Sequence, residues 1–199
     1  MDFPPIRVHS GHIGYNLHMP SYYTRTGDGG STGILGEGRL SKNHPRIEAL
    51  GVLDEVTAAL GLSRALSQAP QTKPIILEIQ RDLYALMAEI AATTETAGRF
   101  RTLESQRVQW LESVVDGLSS QVPAPSEFIL PGDSLSGAAL ALSRTIVRRA
   151  ERQVVALFDT EKIQNSVILQ YMNRLSTVCF ILELLENQFT GHETTLAKR

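Results

Sequence analysis

The chain has 199 residues, 42% hydrophobic and 20% charged, enough for one good core, so a single compact domain is expected. Nineteen Lys and Arg against 21 Asp and Glu leave a formal net charge of −2. That balance supplies no overall field to gather nucleic acid or an anionic membrane, so any cationic work is local. The lone cysteine, Cys179, excludes an internal disulfide. His9, His12, His18 and His44 fall in the first quarter and His192 near the end, so neither a Cys/His metal cluster nor a histidine-centred triad is expected. No apolar run approaches the roughly 20 residues that span a bilayer. Residues 1–20 carry neither a secretory signal nor an Arg-rich presequence, which points to the cytoplasm.

In chain order, residues 1–20 have no clear periodicity and read as a mobile arm. Ser21 to Arg39 is rich in Gly, Ser and Thr and must be irregular backbone. Pro45 suits the first turn of a helix, and Ile47, Leu50, Leu53, Val56 and Leu60 recur near helical spacing up to Pro70. A second helix follows Pro74 through Leu77, Leu83, Leu86 and Ile90, ending in the polar stretch Thr93–Arg101. Leu103, Val108, Leu111, Val115 and Leu118 predict a third, closed by Pro123 and Pro125. After the apolar segment Phe128–Leu130, either Asp133 or Ser134 can cap a long fourth helix running to about Phe158. The fifth, roughly Lys162 to Gln188, is apolar on several faces and should be the most buried. With no convincing strand, the expectation is an all-α, five-helix antiparallel bundle preceded by a glycine-rich loop. The domain would span 21–190, with a tail at 191–199.

Three groups of residues carry chemistry. At 100° per residue, Arg144, Arg148 and Glu151 share one face of the fourth helix, while Leu142, Ile146, Ala150 and Leu157 are expected on the opposite face. Two guanidiniums one turn apart repel slightly and become favourable when a polyanion bridges them; a solvated helix face is the plainer alternative. Thr24 to Gly33 combines flexible N–H donors, hydroxyls and Arg25, the parts of a phosphate cradle. It is no Walker A loop, since the lysine after the last glycine is missing, and a plain flexible loop is the alternative. Lys42, Arg25 and the arginines of the fourth helix would make three cationic elements able to converge on one triphosphate. Asn173 and Arg174, inside the apolar run of the fifth helix, need polar partners, either another helix or a ligand. Asp54 poses the same question, with Arg144 or Arg174 as candidate cations. Phe128, taken alone, reads more readily as core than as a cofactor wall.

Taken together, Tyr23-Thr-Arg-Thr-Gly-Asp-Gly-Gly-Ser-Thr32, Ser41-Lys-Asn-His-Pro-Arg-Ile-Glu-Ala49 with Asp54-Glu55, Phe128-Ile-Leu-Pro-Gly132, Arg144-Thr-Ile-Val-Arg-Arg-Ala-Glu-Arg152 and Asn173-Arg-Leu-Ser176 resemble the PduO-type ATP:cob(I)alamin adenosyltransferases. The resemblance runs from Tyr22 to Glu186. It implies a homotrimer of five-helix bundles with ATP bound between subunits, by the glycine loop of one and the fourth helix of the next. By that analogy Thr24, Arg25, Thr26, Gly27, Thr32, Gly33 and Lys42 hold the triphosphate, and Arg148, Arg149, Ala150, Glu151, Arg152 and Asn173 complete the ATP site. Glu151 would help orient nucleotide-bound Mg²⁺, with no metal held by the protein itself. Asp54 would pair with Arg144 across the interface, and Phe128 would crowd the lower face of cobalamin and displace its axial base.

The resemblance further implies an electron-donating reductase and an adenosylcobalamin-dependent acceptor enzyme as partners. The sequence departs from the family pattern at Asp133, where a glycine or small residue is usual, and at Thr177, where an acid is usual. Leu50 and Arg25 are further departures, Arg25 standing where Lys is common. A non-catalytic ATP- or corrinoid-binding carrier or sensor on the same fold is the alternative function.

Overall fold

The structure is a computed structural model that describes residues 23–160 and 163–198. The N-terminal arm and Lys162 lie outside the described residues. Five long helices form an up-down bundle: α1 (Pro45–Leu66), α2 (Thr72–Ala91), α4 (Ser105–Ser119), α5 (Leu135–Thr160) and α6 (Val167–Phe189), with a single-turn α3 (Ala97–Phe100) after α2. Pro45 occupies the first turn of α1, and the His44 ring accepts from the Arg46 N–H as its cap.

Two ties set the relative direction of α1 and α5. Ser63 and Ser143 hydroxyls meet at 3.0 Å, and Arg149 of α5 pairs with Glu55 of α1, so the helices run antiparallel. Between α2, α4 and α6, Asp82 accepts from Arg107 Nε at 2.8 Å and Nη2 at 2.7 Å and from the Tyr171 hydroxyl at 2.8 Å. Helices α4 and α6 are neighbours that run parallel, joined through Arg174 and Glu112.

The expectation of a bundle without strands needs one correction. β1 (Ser31–Gly33) and β2 (Arg39–Ser41) form a small antiparallel pair ahead of α1. Three-residue strands carry too little alternation to read in sequence, and the reversal between them relies on Gly36 and Gly38 at φ +146 and +104. A Cβ on Gly36 would also lie 2.5 Å from the Thr93 methyl.

Helix α6 is the core helix, as its apolar faces predict, and Tyr171, Met172, Leu175, Val178 and Cys179 are fully buried. By length and composition alone it is apolar enough to cross a membrane, although Gln170, Asn173, Arg174 and Glu183 interrupt its apolar run. Its residues are instead packed against α4 and α5 within the bundle. Near its end Glu186, at 0% exposure, accepts the backbone N–H groups of Gln68 and Ala69 at 2.9 and 3.2 Å, fixing the α1–α2 turn.

Candidate functional site

The glycine-rich segment is a built loop. Arg39, which the sequence reading passed over, donates from Nη2 to the carbonyls of Thr26 at 2.7 Å and Ser31 at 2.8 Å, and from Nε to the Ser31 hydroxyl at 3.1 Å. The Lys42 N–H donates to the Gly30 carbonyl at 2.9 Å. A Cβ on Gly27 would come 3.3 Å from Lys42 Nζ, so the lysine head lies against the bare glycine. The Thr24 and Thr26 hydroxyls are 2.9 Å apart. Arg25 takes the left-handed φ of 60, uncommon for a residue with a Cβ, and its guanidinium lies 5.2 Å from the Tyr23 ring centroid. Thr32 and Gly33 stand on β1, so loop and hairpin present hydroxyls, N–H groups and two cations together.

On α5 the buried stripe is Leu140, Ser143, Val147, Ala150, Val154 and Leu157. Leu142 was expected on that apolar face and is instead 53% exposed, and Ile146 only borders it. The angular reason is plain: positions 143, 147, 150, 154 and 157 cluster within about 80° of the helix circle, and 142 falls roughly 100° away from their centre. Of the consecutive candidates 148–152, Ala150 points into the core at 0% exposure and Arg149 is engaged by Glu55. That leaves Arg148 and Arg152 exposed, with Glu151 half-buried.

Asn173 is exposed rather than immersed in the apolar run. Its Nδ2 donates to Glu151 Oε1 at 3.1 Å, and its Oδ1 accepts from Arg174 Nη1 at 2.9 Å. Arg174 Nε in turn donates to Glu112 at 2.9 Å. Glu151, Asn173, Arg174 and Glu112 thus form one polar chain across α5, α6 and α4. Arg174 is a tie between helices, and Glu151 is oriented by an amide that leaves its second oxygen available.

Asp54 is exposed on α1 and forms no ion pair within the chain among the described residues. Arg144 is half-buried, and its Nε is buried with no hydrogen-bond partner among the described residues. Inside it lies Glu183, 1% exposed, whose Oε2 is likewise unpartnered. Burial pushes the Glu183 carboxyl up to about 7, Arg144 acts to lower it, and Asp133 adds to the rise. Burial also pushes the Cys179 thiol up to about 12, which keeps it inert at neutral pH.

Phe128 is 88% exposed, so the core reading of this residue is overturned. It precedes α5, whose cap is Ser134: that hydroxyl accepts the Gly137 N–H at 2.9 Å and donates to Asn187 Oδ1 at 2.6 Å. Asp133, the other capping candidate, faces the chain's last residues instead. Thr177 is exposed and Leu50 half-buried. Within one chain the glycine loop lies at the start of α1 and Phe128 at the opposite end of the bundle. The 22 residues of α1 make that span about 33 Å.

The chain is thus a helical bundle with a hydroxyl- and glycine-rich loop at one end, an exposed aromatic at the other and a helix bearing exposed arginines running between them. The description of the cobalamin adenosyltransferases matches residues 22–186, and the chain belongs to that family. A corrinoid adenosyltransferase of Bacillus subtilis is 40% identical over 173 residues, covering 85% of this chain and 88% of its own length. The corrinoid adenosyltransferase PduO of Citrobacter freundii is 38% identical over 89% of this chain, and here the chain spans about half (52%) of the relative. A variant PduO-type ATP:corrinoid adenosyltransferase from Lactobacillus reuteri, solved with cobalamin and ATP, superposes with a TM-score of 0.84 at 34% identity, covering 90% of this chain and all of that one. A second variant of it, solved with ATP, gives 0.82 at 34% identity over 88% of this chain and 99% of that one.

Proposed function

We propose that this chain transfers the 5′-deoxyadenosyl group of ATP to the cobalt of cob(I)alamin or a related corrinoid, giving an adenosylated corrinoid and triphosphate. The observation that carries the reading is Phe128, a large aromatic held 88% exposed at the head of the helix that also presents Arg148 and Arg152. An apolar wall against the lower corrin face displaces the axial base. Loss of that ligand favours Co(I) over Co(II), so an external reductase can deliver the electron.

The nucleophile is the substrate's own Co(I). Its electron pair forms the bond to C5′, the C5′–O bond breaks, and triphosphate leaves, so no protein base is needed. The protein's contribution is alignment and stabilisation of charge growing on the triphosphate. Arg148, Arg152, Lys42 and Arg25 suit the second task, with hydroxyls and N–H groups from Thr24, Thr26, Gly27, Thr32 and Gly33. Mg²⁺ arrives with the nucleotide, and the hydrogen bond from Asn173 to Glu151 supports the reading of that carboxylate as the group that orients it.

Reacting atoms must come within about 3–3.5 Å, whereas the loop and Phe128 of one chain are about 33 Å apart. That separation supports the reading in which a second copy supplies the loop to the α5 face of the first, as in a homotrimer with interfacial sites. Asp54 of one subunit then meets Arg144 of the next. A cytoplasmic protein handing its product to an adenosylcobalamin-dependent enzyme fits these substrates. The test is an anaerobic assay with Mg-ATP and chemically reduced cob(I)alamin, following loss of the Co(I) absorbance and release of triphosphate. Light-sensitive adenosylcobalamin is expected; ATP binding without product would favour a carrier or sensor.

A further inference from the structure

The segment carrying Phe128 belongs to no helix or named strand, and the end of the chain holds it. The Ala197 N–H donates to the Phe128 carbonyl at 2.7 Å, and the Leu130 N–H donates to the Thr195 carbonyl at 2.8 Å. Between them Ile129 and Leu196 form an antiparallel bridge. Asp133 closes this short ladder with both carboxylate oxygens: Oδ1 accepts the Thr195 hydroxyl at 2.6 Å and Oδ2 accepts the Thr195 N–H at 3.1 Å. Lys198 Nζ lies 3.9 Å from Glu127 Oε2 on the other flank. Because Ser134 already caps α5, the Asp133 carboxylate is spent on the tail alone.

A side chain 88% exposed has almost no packing to select among its staggered rotamers, so what the chain itself fixes is the backbone from which the ring projects. Here the hydrogen bonds that fix that backbone are made by residues 195–197. Displacing an axial ligand requires a wall that does not yield, since a functional group held loosely by more than about 0.5 Å loses its effect.

We propose that residues 195–197 are a strap that sets Phe128 against the corrinoid, and that Asp133 is the positioning residue that clamps the strap. The proposal rests on the reading of Phe128 as the corrin wall. Asp133 thereby acquires a use in the corrinoid half-reaction without touching the corrin, and the ATP side should not sense its loss.

The test uses the full-length protein in its native assembly and the variants Thr195→Val, which removes one donor to Asp133 at almost constant shape, and Asp133→Ala. First, without ligand, backbone hydrogen exchange at Leu130 is measured. Second, with Mg-ATP and cob(II)alamin, the fraction of four-coordinate Co(II) is read from its electron paramagnetic resonance. Exchange at Leu130 at least tenfold faster, with several-fold less four-coordinate Co(II) and a KM for ATP within twofold of wild type, is the expected result. Unchanged exchange overturns the strap, and faster exchange with an unchanged cobalt spectrum overturns its role in positioning Phe128. Wild-type protein that forms no four-coordinate Co(II) at all overturns the underlying corrinoid reading, and the proposal with it, and is told apart by appearing before any substitution is made.

Discussion

Replacing Glu183 by Gln should change how stability depends on pH while leaving the fold intact. Glu183 is 1% exposed with one oxygen unpartnered among the described residues, and its carboxyl is raised from 4.5 to about 7, chiefly by burial. Because the folded value lies above the unfolded one, folding takes up a proton between them. The stabilisation is therefore complete below pH 4.5 and is lost as pH rises through 7. The interval from 4.5 to about 7, at about 1.4 kcal/mol per pH unit, sets an upper figure of about 3–4 kcal/mol. About 2 kcal/mol of that falls between pH 5 and pH 8, because part of it is already lost below pH 5.

The amide of Glu183→Gln does not titrate, so the variant should gain about that much relative to wild type between pH 5 and pH 8. Denaturant unfolding at a series of pH values measures the difference directly, and comparing slopes removes any constant cost of the amide. Parallel curves for the two proteins would refute the assignment of a raised carboxyl to this site.

Arg148→Ala should lower kcat/KM for ATP by about 10- to 150-fold, corresponding to a charged hydrogen bond of about 1.5–3 kcal/mol, with the melting temperature unchanged because the side chain is exposed. Phe128→Ala should likewise leave stability and ATP binding intact, and spectroscopy of cob(II)alamin should show less of the base-off species; an unchanged spectrum would return Phe128 to a surface residue without a task. Gly137→Ala should destabilise by about 2–3 kcal/mol in chemical unfolding, since a Cβ there would lie 2.2 Å from Asn187 Oδ1 and 2.8 Å from Ser134 Oγ, forcing apart the bond that caps α5.

The helices were legible because their apolar positions recur at 3.6-residue spacing and their ends are marked by Pro45, Pro70, Pro123 and Ser134. Both signals are local, so five helices in order, and α6 as the buried one, follow from the chain alone. The loop and cationic helix were legible as residue types. What they touch was not: Arg39 bracing the loop, Glu112 answering Arg174, and Thr195 meeting Asp133 join residues 8 to 62 positions apart, where periodicity carries no information.

Phe128 shows the same limit most plainly, since an aromatic in Phe-Ile-Leu-Pro-Gly is apolar whether it faces core or solvent, and only the packing of its neighbours decides which. The sequence by itself determined the bundle and the kinds of groups available for a nucleotide and an apolar substrate. Tertiary structure alone decided that Arg149 and Ala150 are taken up within the chain while Arg148 and Arg152 are exposed. The opposite-end placement of the loop and Phe128 follows already from three antiparallel helices lying between them, whereas the side of a helix that meets a neighbour depends on long-range packing, which no local pattern encodes.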